Sequence, residues 1–166
     1  MFSRFRIDFD ELKLADAFGV MPEDIRAFMT DGRRASFIIE RRLKWAHEGW
    51  TLAPSEGSGF DLRSPTNELW EVRSLTRGGV YFTPSAQVGS GRKFEEQGFL
   101  AKLDGVAGFI LSDLTKFPSI PVIVIPVCFV RKWWAARELG VSAKVNYATF
   151  YKRLEPQLPR ELFKLV

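Results

Sequence analysis

Two carboxylates occur in a stretch whose other residues are typical of neighbouring strands in a protein core. Asp61 follows Phe60, and Glu71 lies within LWEVRSL, after a turn formed by Pro-Thr-Asn. Since alternate residues of a strand share one face, Arg73 is expected beside Glu71. Carboxylates converging from paired strands offer the hard oxygen ligands that Mg²⁺ prefers. Such an ion neutralises phosphoryl oxygens and activates water, so the pattern favours phosphodiester hydrolysis.

The predicted metal site consists of oxygen ligands alone. With one cysteine and one histidine in the chain, thiolate and imidazole sites are nearly excluded. The carbonyl group of Val72, between Glu71 and Arg73, is a further candidate ligand. The competing interpretation is a solvated sheet edge on which Asp61 and Glu71 pair with Arg63 and Arg73. The apolar neighbours of both acids argue against an edge.

Helical periodicity surrounds the hairpin on both sides. Amphipathic patterns cover 11–20, 21–30, 35–48, 92–103 and 131–139, and a Pro-interrupted helical stretch lies within 147–166. Short strands are predicted at VYF, GFILSDL and IPVIVIPVCFV, and the last two are apolar on both faces, as in strands covered by helices. The order predicts an α/β fold, with a mixed central sheet of about five strands that contains the antiparallel hairpin and has helices on both faces.

A chain of 166 residues has the length of one domain. We expect a single domain over 1–166, with a helical N-terminal extension at 1–34, a core at 35–130 and C-terminal helices at 131–166. Phe37 and Trp45 are expected in the apolar stripe of the 35–48 helix, and Trp133 in the core. Cys128 is expected to be a buried, inert thiol within the last apolar run.

The hairpin and its flanking elements resemble the active-site region of the PD-(D/E)xK nuclease superfamily, the restriction-endonuclease-like fold. That family has an Asp on one strand and an acid-x-Lys on the next, after one helix and before another helix and strand. Asp61 matches the first acid, Glu71 matches the second, and Arg73 occupies the place of the lysine. Over 35–130, the resemblance implies a Mg²⁺-dependent DNA endonuclease in which Mn²⁺ can substitute. Among its members the chain is most like a small type II restriction enzyme, which cuts double-stranded DNA as a homodimer.

Arginine at the position of the lysine leaves three alternatives. Arg73 keeps its charge at any relevant pH, so it can stabilise a phosphate oxygen but cannot act as a base. Either Arg73 substitutes directly, which we favour, or Lys93 or Lys102 reaches in from the following helix, or the site binds nucleic acid without cleaving it. Holliday-junction and repair nucleases share this hairpin, so they are alternatives to the restriction enzyme.

The resemblance also implies auxiliary residues outside the hairpin. Glu40 on the preceding helix and Gln97 on the following helix fall where related nucleases carry polar groups near the site, and Lys93 is a third candidate. Glu40 has the alternative of an ion pair with Lys44, one helical turn away. Gln97 has the alternative of an ordinary solvated side chain.

The stretch TRGGVYFTPSAQVGSGRK is the predicted DNA-binding loop. It contains no acidic residue, and its glycines permit close approach of the backbone to phosphate. Arg77, Arg92 and Lys93 are predicted to contact phosphates, and Ser85 and Gln87 to reach base edges. The alternative is an ordinary loop without a ligand.

Charge and hydropathy add weaker constraints. The chain has 24 Lys plus Arg against 20 Asp plus Glu, a net charge of +4 that is compatible with a polyanionic partner. The longest apolar run is too short and too interrupted by proline to span a bilayer. The first residues are charged throughout and show no secretory pattern. We therefore expect a cytoplasmic protein with no membrane partner.

Overall fold

The computed structural model describes residues 4–55, 58–84, 87, 91 and 93–159, without the side chains of Arg4 and Arg33. Ser85 and Arg92, both predicted to contact DNA, lie outside the described residues. The strands are β1 (Arg4–Asp8), β2 (Thr51–Leu52), β3 (Leu62–Arg63), β4 (Leu69–Leu75), β5 (Val80–Tyr81), β6 (Gly108–Asp113), β7 (Ser119–Pro126) and β8 (Lys144–Val145). The helices are α1 (Glu11–Phe18), α2 (Pro22–Thr30), α3 (Gly32–Ala46), α4 (Glu96–Gly105), α5 (Val127–Ala135) and the short α6 (Tyr147–Thr149).

Six strands form one mixed sheet in the order β1-β7-β6-β4-β3-β2. Strands β4 and β6 are parallel, because the chain crosses back through α4 between them, and the other neighbouring pairs are antiparallel. Strands β5 and β8 form a separate antiparallel pair. The predicted α/β fold with a mixed sheet and an antiparallel hairpin is confirmed, with six strands where about five were expected.

Helices cover both faces of the sheet, as predicted. One core contains Phe99 of α4 together with Phe109 of β6. The opposite core contains Ile39 of α3 together with Ile110, the next residue of β6. Successive side chains of a strand point to opposite faces, so β6, which is buried on both, is apolar from Gly108 to Leu111 and ends in the buried polar residues Ser112 and Asp113.

The N-terminal extension is not wholly helical, because it begins with a strand. In β1, Ile7 is buried opposite Ile120 of β7, and its neighbour Arg6 is exposed. This alternation has the period of a half-buried edge strand. Helices α1 and α2 then follow as predicted: Gly19 ends α1 in the left-handed conformation at φ 63°, and Pro22 begins α2.

Three other placements differ from expectation. The last apolar run divides at Pro126, where β7 ends and α5 begins, so Cys128 is exposed on a helix and is not buried in a strand. Phe37 and Trp45 do not belong to the packing face of α3; they are 59% and 78% exposed. Trp133, in contrast, is completely buried, as predicted. Within the described ranges, the helices are all too short or too polar to cross a membrane.

Candidate active site

The β3–β4 hairpin brings Asp61 against the backbone of β4. A turn with Asn67 at φ 64° joins the strands, and Leu62 is paired with Trp70. Residue 61 extends the pairing, since its N–H donates to the carbonyl oxygen of Trp70 at 3.0 Å. The Asp61 side chain then folds back, and its Oδ2 accepts the backbone N–H of Val72 at 2.7 Å. The carboxylate is therefore held beside the strand that carries Glu71.

Glu71 and Arg73 face α4, because the intervening residues face the other way. Val72 belongs to the core on the α3 side, and Leu75 belongs to the core on the α4 side. Strand β4 lies between β3 and β6, and Glu71 is only 4% exposed. The interpretation of a solvated sheet edge is therefore wrong for Glu71. Arg63, which that interpretation paired with Asp61, is exposed and lies over the Phe60 ring.

Two cations engage the Glu71 carboxylate. Nη2 of Arg73 lies 2.6 Å from Oε1, and Nζ of Lys102 contacts Oε2. Lys102 projects from α4 and also donates to the carbonyl oxygen of Gly59 at 2.5 Å. A lysine from the following helix thus reaches the acid, which was one of the three alternatives for the missing lysine.

Arg73 is fixed by the backbone as well as by Glu71. Its Nη1 donates to the carbonyl oxygen of Val72 at 3.0 Å, and its Nη2 donates to that of Thr83 at 3.2 Å. Nη1 also lies 3.8 Å from Oδ2 of Asp61. A planar guanidinium held at several acceptors has little freedom to follow a substrate. Its geometry is that of a group that positions Glu71.

Glu40 is the third carboxylate of the cluster. Helix α3 packs closely on β4 at Gly32, where an added Cβ would lie 2.9 Å from Cβ of Ser74. Burial, followed by the negative charge of Asp61, raises the pKa of Glu40 from 4.5 to about 7. The alternative ion pair with Lys44 is not among the described ion pairs, and the Lys44 ammonium lies over the Trp45 ring instead.

The pKa of Asp61 is also raised, first by burial and then by the charge of Glu71. The Val72 N–H and the cations Arg73 and Lys102 oppose this shift. The cations Arg41 and Arg73 oppose the shift of Glu40 in the same way, but burial is the largest effect and its pKa stays raised. Glu40, with its pKa raised to about 7, exchanges a proton near neutral pH, and acids with pKa values perturbed in this way are typical of functional sites.

The oxygen ligands offered to a metal are few. Within the part of the chain that the structure describes, no three His, Cys, Asp or Glu side chains form a group that would hold an ion. Asp61, Glu71 and the Val72 carbonyl are neighbours at the hairpin, but Glu71 pairs with Arg73 and Lys102, and the Val72 carbonyl accepts Nη1 of Arg73. Since Mg²⁺ keeps several waters and binds through one or two carboxylates, Asp61 and Glu71 fit it once Lys102 moves aside, and the Val72 carbonyl becomes a ligand only if Arg73 also moves.

The remaining predicted residues lie outside this cluster. Gln97, Lys93 and Arg77 are exposed, and no described contact joins them to Asp61 or Glu71. Gln87 accepts the N–H of Glu95 at 3.1 Å, so its amide supports the start of α4. The sequence reasoning missed the carbonyl groups of Gly59 and Thr83, which hold Lys102 and Arg73. Backbone acceptors leave no residue signature that could have revealed them.

Comparisons with family models, with curated proteins and with solved structures found no match to this chain.

Proposed function

We propose that this protein is a Mg²⁺-dependent DNA endonuclease that hydrolyses phosphodiester bonds at the cluster of Asp61, Glu71 and Lys102. The observation that carries the proposal is the Glu71 carboxylate, 4% exposed, beside Asp61 and between cations from β4 and α4. Buried ion pairs are often less stabilising than well-packed apolar side chains, so such a cluster in a sheet favours a role in chemistry.

The order of elements supports the same proposal. The chain runs from helix α3 through the β3–β4 hairpin to helix α4 and strand β6. This is the order that the resemblance to PD-(D/E)xK nucleases implies, with the acids on the paired strands. The lysine comes from α4, which offers a replacement for the lysine that the motif lacks.

Asp61 and Glu71 would hold the ion, and the Val72 carbonyl would join them only where Arg73 releases it. When bound, Mg²⁺ supplies charge neutralisation at the phosphoryl oxygens and a more acidic water, and Mn²⁺ is expected to substitute. This requires an oxygen of Glu71 to exchange a protein cation for the metal. Lys102 is the better candidate to move, because a lysine chain is flexible and Arg73 is anchored to two carbonyl groups.

Each side chain then has a distinct role. Lys102, released from Glu71, stabilises the negative charge that develops on the phosphoryl group. Arg73 positions the Glu71 carboxylate. Glu40, with a pKa of about 7, gives up or accepts a proton at neutral pH and is the candidate for general acid–base work.

The substrate, assembly and compartment are proposed with the activity. Double-stranded DNA is the expected substrate and the cytoplasm the expected compartment, and a homodimer would supply the two sites needed to cut both strands. The exposed Arg77 and Lys93 remain candidates for phosphate contacts. A junction-resolving or repair nuclease uses the same chemistry and is the nearest alternative.

A second candidate function is a nucleic-acid-binding protein that does not cleave. The specific observation in its favour is that both Glu71 oxygens are engaged by Arg73 and Lys102. In that case the ion pairs only stabilise the sheet, and no ion displaces them. The two functions differ in whether added metal changes the site.

Plasmid nicking with and without Mg²⁺ tests the proposal. The wild type should convert supercoiled plasmid to nicked or linear forms only with the ion, and Asp61→Asn should abolish this. Glu68→Gln, at an exposed acid of the same hairpin, is the matched control and should cut normally. Metal-independent nicking, or full activity of Asp61→Asn, would contradict the proposed site. Absence of nicking with either Mg²⁺ or Mn²⁺ would favour the binding function.

A further inference from the structure

Helix α3 carries two exposed aromatic rings on one side. Phe37 is 59% exposed and Trp45 is 78% exposed, whereas Ala35, Ile39 and Leu43 of the same helix are buried. Phe37 and Trp45 are eight residues apart, about 12 Å along the helix axis. They are therefore on the solvent side of a helix whose opposite side already fills the core.

Each ring has a cation from the same helix placed on it. The Arg41 guanidinium lies 3.2 Å from the centroid of Phe37, and the Lys44 ammonium lies 4.2 Å from the centroid of Trp45. Arg41 also donates to the carbonyl oxygen of Phe37 at 3.1 Å, which fixes its guanidinium in this position. Residues 37, 41, 44 and 45 follow the helical spacing of a single face. We call these four residues the α3 face.

The chemistry of the α3 face favours a particular partner. An apolar protein partner would have to bury Arg41 and Lys44 without acids to pair them, which is costly. Unpaired nucleobases, in contrast, stack on aromatic rings, and the phosphates that link them attract cations. A continuous duplex offers its bases only at the ends, so it cannot use the two rings.

The α3 face is next to the candidate active site. Glu40 is adjacent to Arg41 in the chain and lies one helical turn from both Phe37 and Lys44. The charge of Arg41 lowers the pKa of Glu40, against the raising effect of Asp61, so these groups are close enough to interact. A strand that leaves the cluster of acids along α3 would therefore meet the two rings.

We propose that the α3 face binds a single-stranded segment of nucleic acid, with unpaired bases on Phe37 and Trp45 and phosphates at Arg41 and Lys44. As a subsite, this inference rests on the proposed nuclease function. It selects DNA that has an unpaired flank, such as a fork, a flap or a junction, over an uninterrupted duplex.

The test measures binding in a chelating buffer without divalent ions, so that no cleavage occurs. Fluorescence anisotropy compares a labelled oligothymidine of about 15 nucleotides with a blunt duplex of the same length. The wild type should prefer the oligothymidine, and removing each ring by Phe37→Ala or Trp45→Ala should weaken its binding about tenfold. Phe18→Ala is the matched control, since Phe18 is 67% exposed on α1 and should not affect binding.

The salt dependence of binding and the tryptophan fluorescence are two further measurements that test the same interaction. Arg41→Gln and Lys44→Gln should each reduce the salt dependence of binding by about one ion. Bound oligothymidine should quench tryptophan fluorescence, and Trp45→Ala should lose most of that quenching, because Trp45 is the most exposed tryptophan, whereas Trp70 and Trp133 are buried and Trp50 and Trp134 are half-buried.

Two results would overturn the inference. One is wild-type binding that does not favour the oligothymidine; the other is unchanged binding after both rings are removed. If removal of the rings lowers the oligomeric state and leaves DNA binding intact, the α3 face belongs to a second copy of the chain. If the oligothymidine binds through the rings but plasmid is not nicked in Mg²⁺, this inference is supported and the proposed nuclease function is wrong. If plasmid is nicked in Mg²⁺ but the oligothymidine does not bind through the rings, the nuclease function is supported and this inference is wrong.

Discussion

Lys102 on α4 contacts the buried Glu71 carboxylate on β4, and it does so from the face of the sheet opposite α3. Its side chain is 10% exposed, and its ammonium also donates to the carbonyl oxygen of Gly59. A lysine beside a strand acid is therefore present although the strand itself carries arginine. In the proposed mechanism, Lys102 stabilises the negative charge on the phosphoryl group and Arg73 positions the Glu71 carboxylate.

Removal of the Lys102 ammonium should slow cleavage more than it changes DNA binding. We expect Lys102→Ala to lose about 2 to 4 kcal/mol of transition-state stabilisation, the range for one charge-stabilising donor. Single-turnover nicking in Mg²⁺ measures this loss, and binding in Ca²⁺ should change much less. Lys116→Ala, at an exposed lysine, is the control. If Lys102→Ala cleaves at the wild-type rate, Arg73 would be the residue that stabilises the transition-state charge.

Arg73 should matter first for the geometry of Glu71. Arg73→Lys keeps a cation near Glu71 but cannot reach the Val72 and Thr83 carbonyl groups together, so we expect reduced stability and retained cleavage. Arg73→Ala should lose both stability and cleavage. Thermal unfolding and nicking measured on the same samples separate the two effects. An Arg73→Lys variant that is stable but inactive would show that the guanidinium itself is needed in the reaction.

Glu71→Gln should destabilise the fold in the absence of metal. The change leaves the buried Arg73 and Lys102 charges without their acid, and breaking a buried pair costs about 3 to 5 kcal/mol. Urea unfolding gives the free energy of unfolding, with Glu68→Gln at an exposed hairpin acid as the control. The double variant Glu71→Gln/Lys102→Met should recover part of the lost free energy of unfolding, because it also removes one of the two buried cations that Glu71→Gln leaves unpaired. No recovery would argue against their direct pairing.

The raised pKa of Glu40 predicts how stability depends on pH. Between pH 4.5, its ordinary pKa, and about 7, the folded chain binds more protons at Glu40 than the unfolded chain does. The free energy of unfolding should therefore fall as the pH rises through this window. Glu40→Gln removes that slope and should stabilise the protein at pH 8 by about 1 kcal/mol, after allowance for the half-buried position of the carboxyl group.

Thermal unfolding between pH 5 and 8 measures this effect, with Glu48→Gln at an exposed position as the control. Added Mg²⁺ should reduce the difference between wild type and Glu40→Gln at pH 8, because the ion compensates the charge of Glu40. An equal pH slope in both proteins would contradict the assigned pKa.

Gln87 and Gly98 should be energetically coupled. An added Cβ at Gly98 would lie 2.3 Å from Nε2 of Gln87, whose Oε1 accepts the Glu95 N–H. Gly98→Ala should displace this amide and cancel much of the gain in helix propensity, about 1 kcal/mol. In a Gln87→Ala background the full gain should appear. A double-mutant cycle of unfolding free energies measures the coupling, and additive changes would show that the contact contributes nothing.

The period of the apolar residues predicted most of the elements, because short-range patterns carry that information. The hairpin, the two apolar strands and the helices on both faces all follow from alternation or from helical spacing. Strand β1 departs from the predicted helical extension, because a pattern of five alternating residues next to two helices is too short to indicate a strand by itself. Its stability comes from pairing with β7, which lies more than a hundred positions later in the chain.

The sequence by itself determined that Asp61, Glu71 and Arg73 would meet, because hairpin pairing and strand alternation bring them together through local geometry. Only the tertiary structure decided that Lys102 completes the cluster, since the packing of α4 on the sheet sets its reach. The same is true of α3: helical spacing allowed Phe37 and Trp45 to face the core or the solvent. In the folded protein, the smaller side chains of Ala35, Ile39 and Leu43 fill the space against the sheet, so both aromatic rings are exposed to solvent.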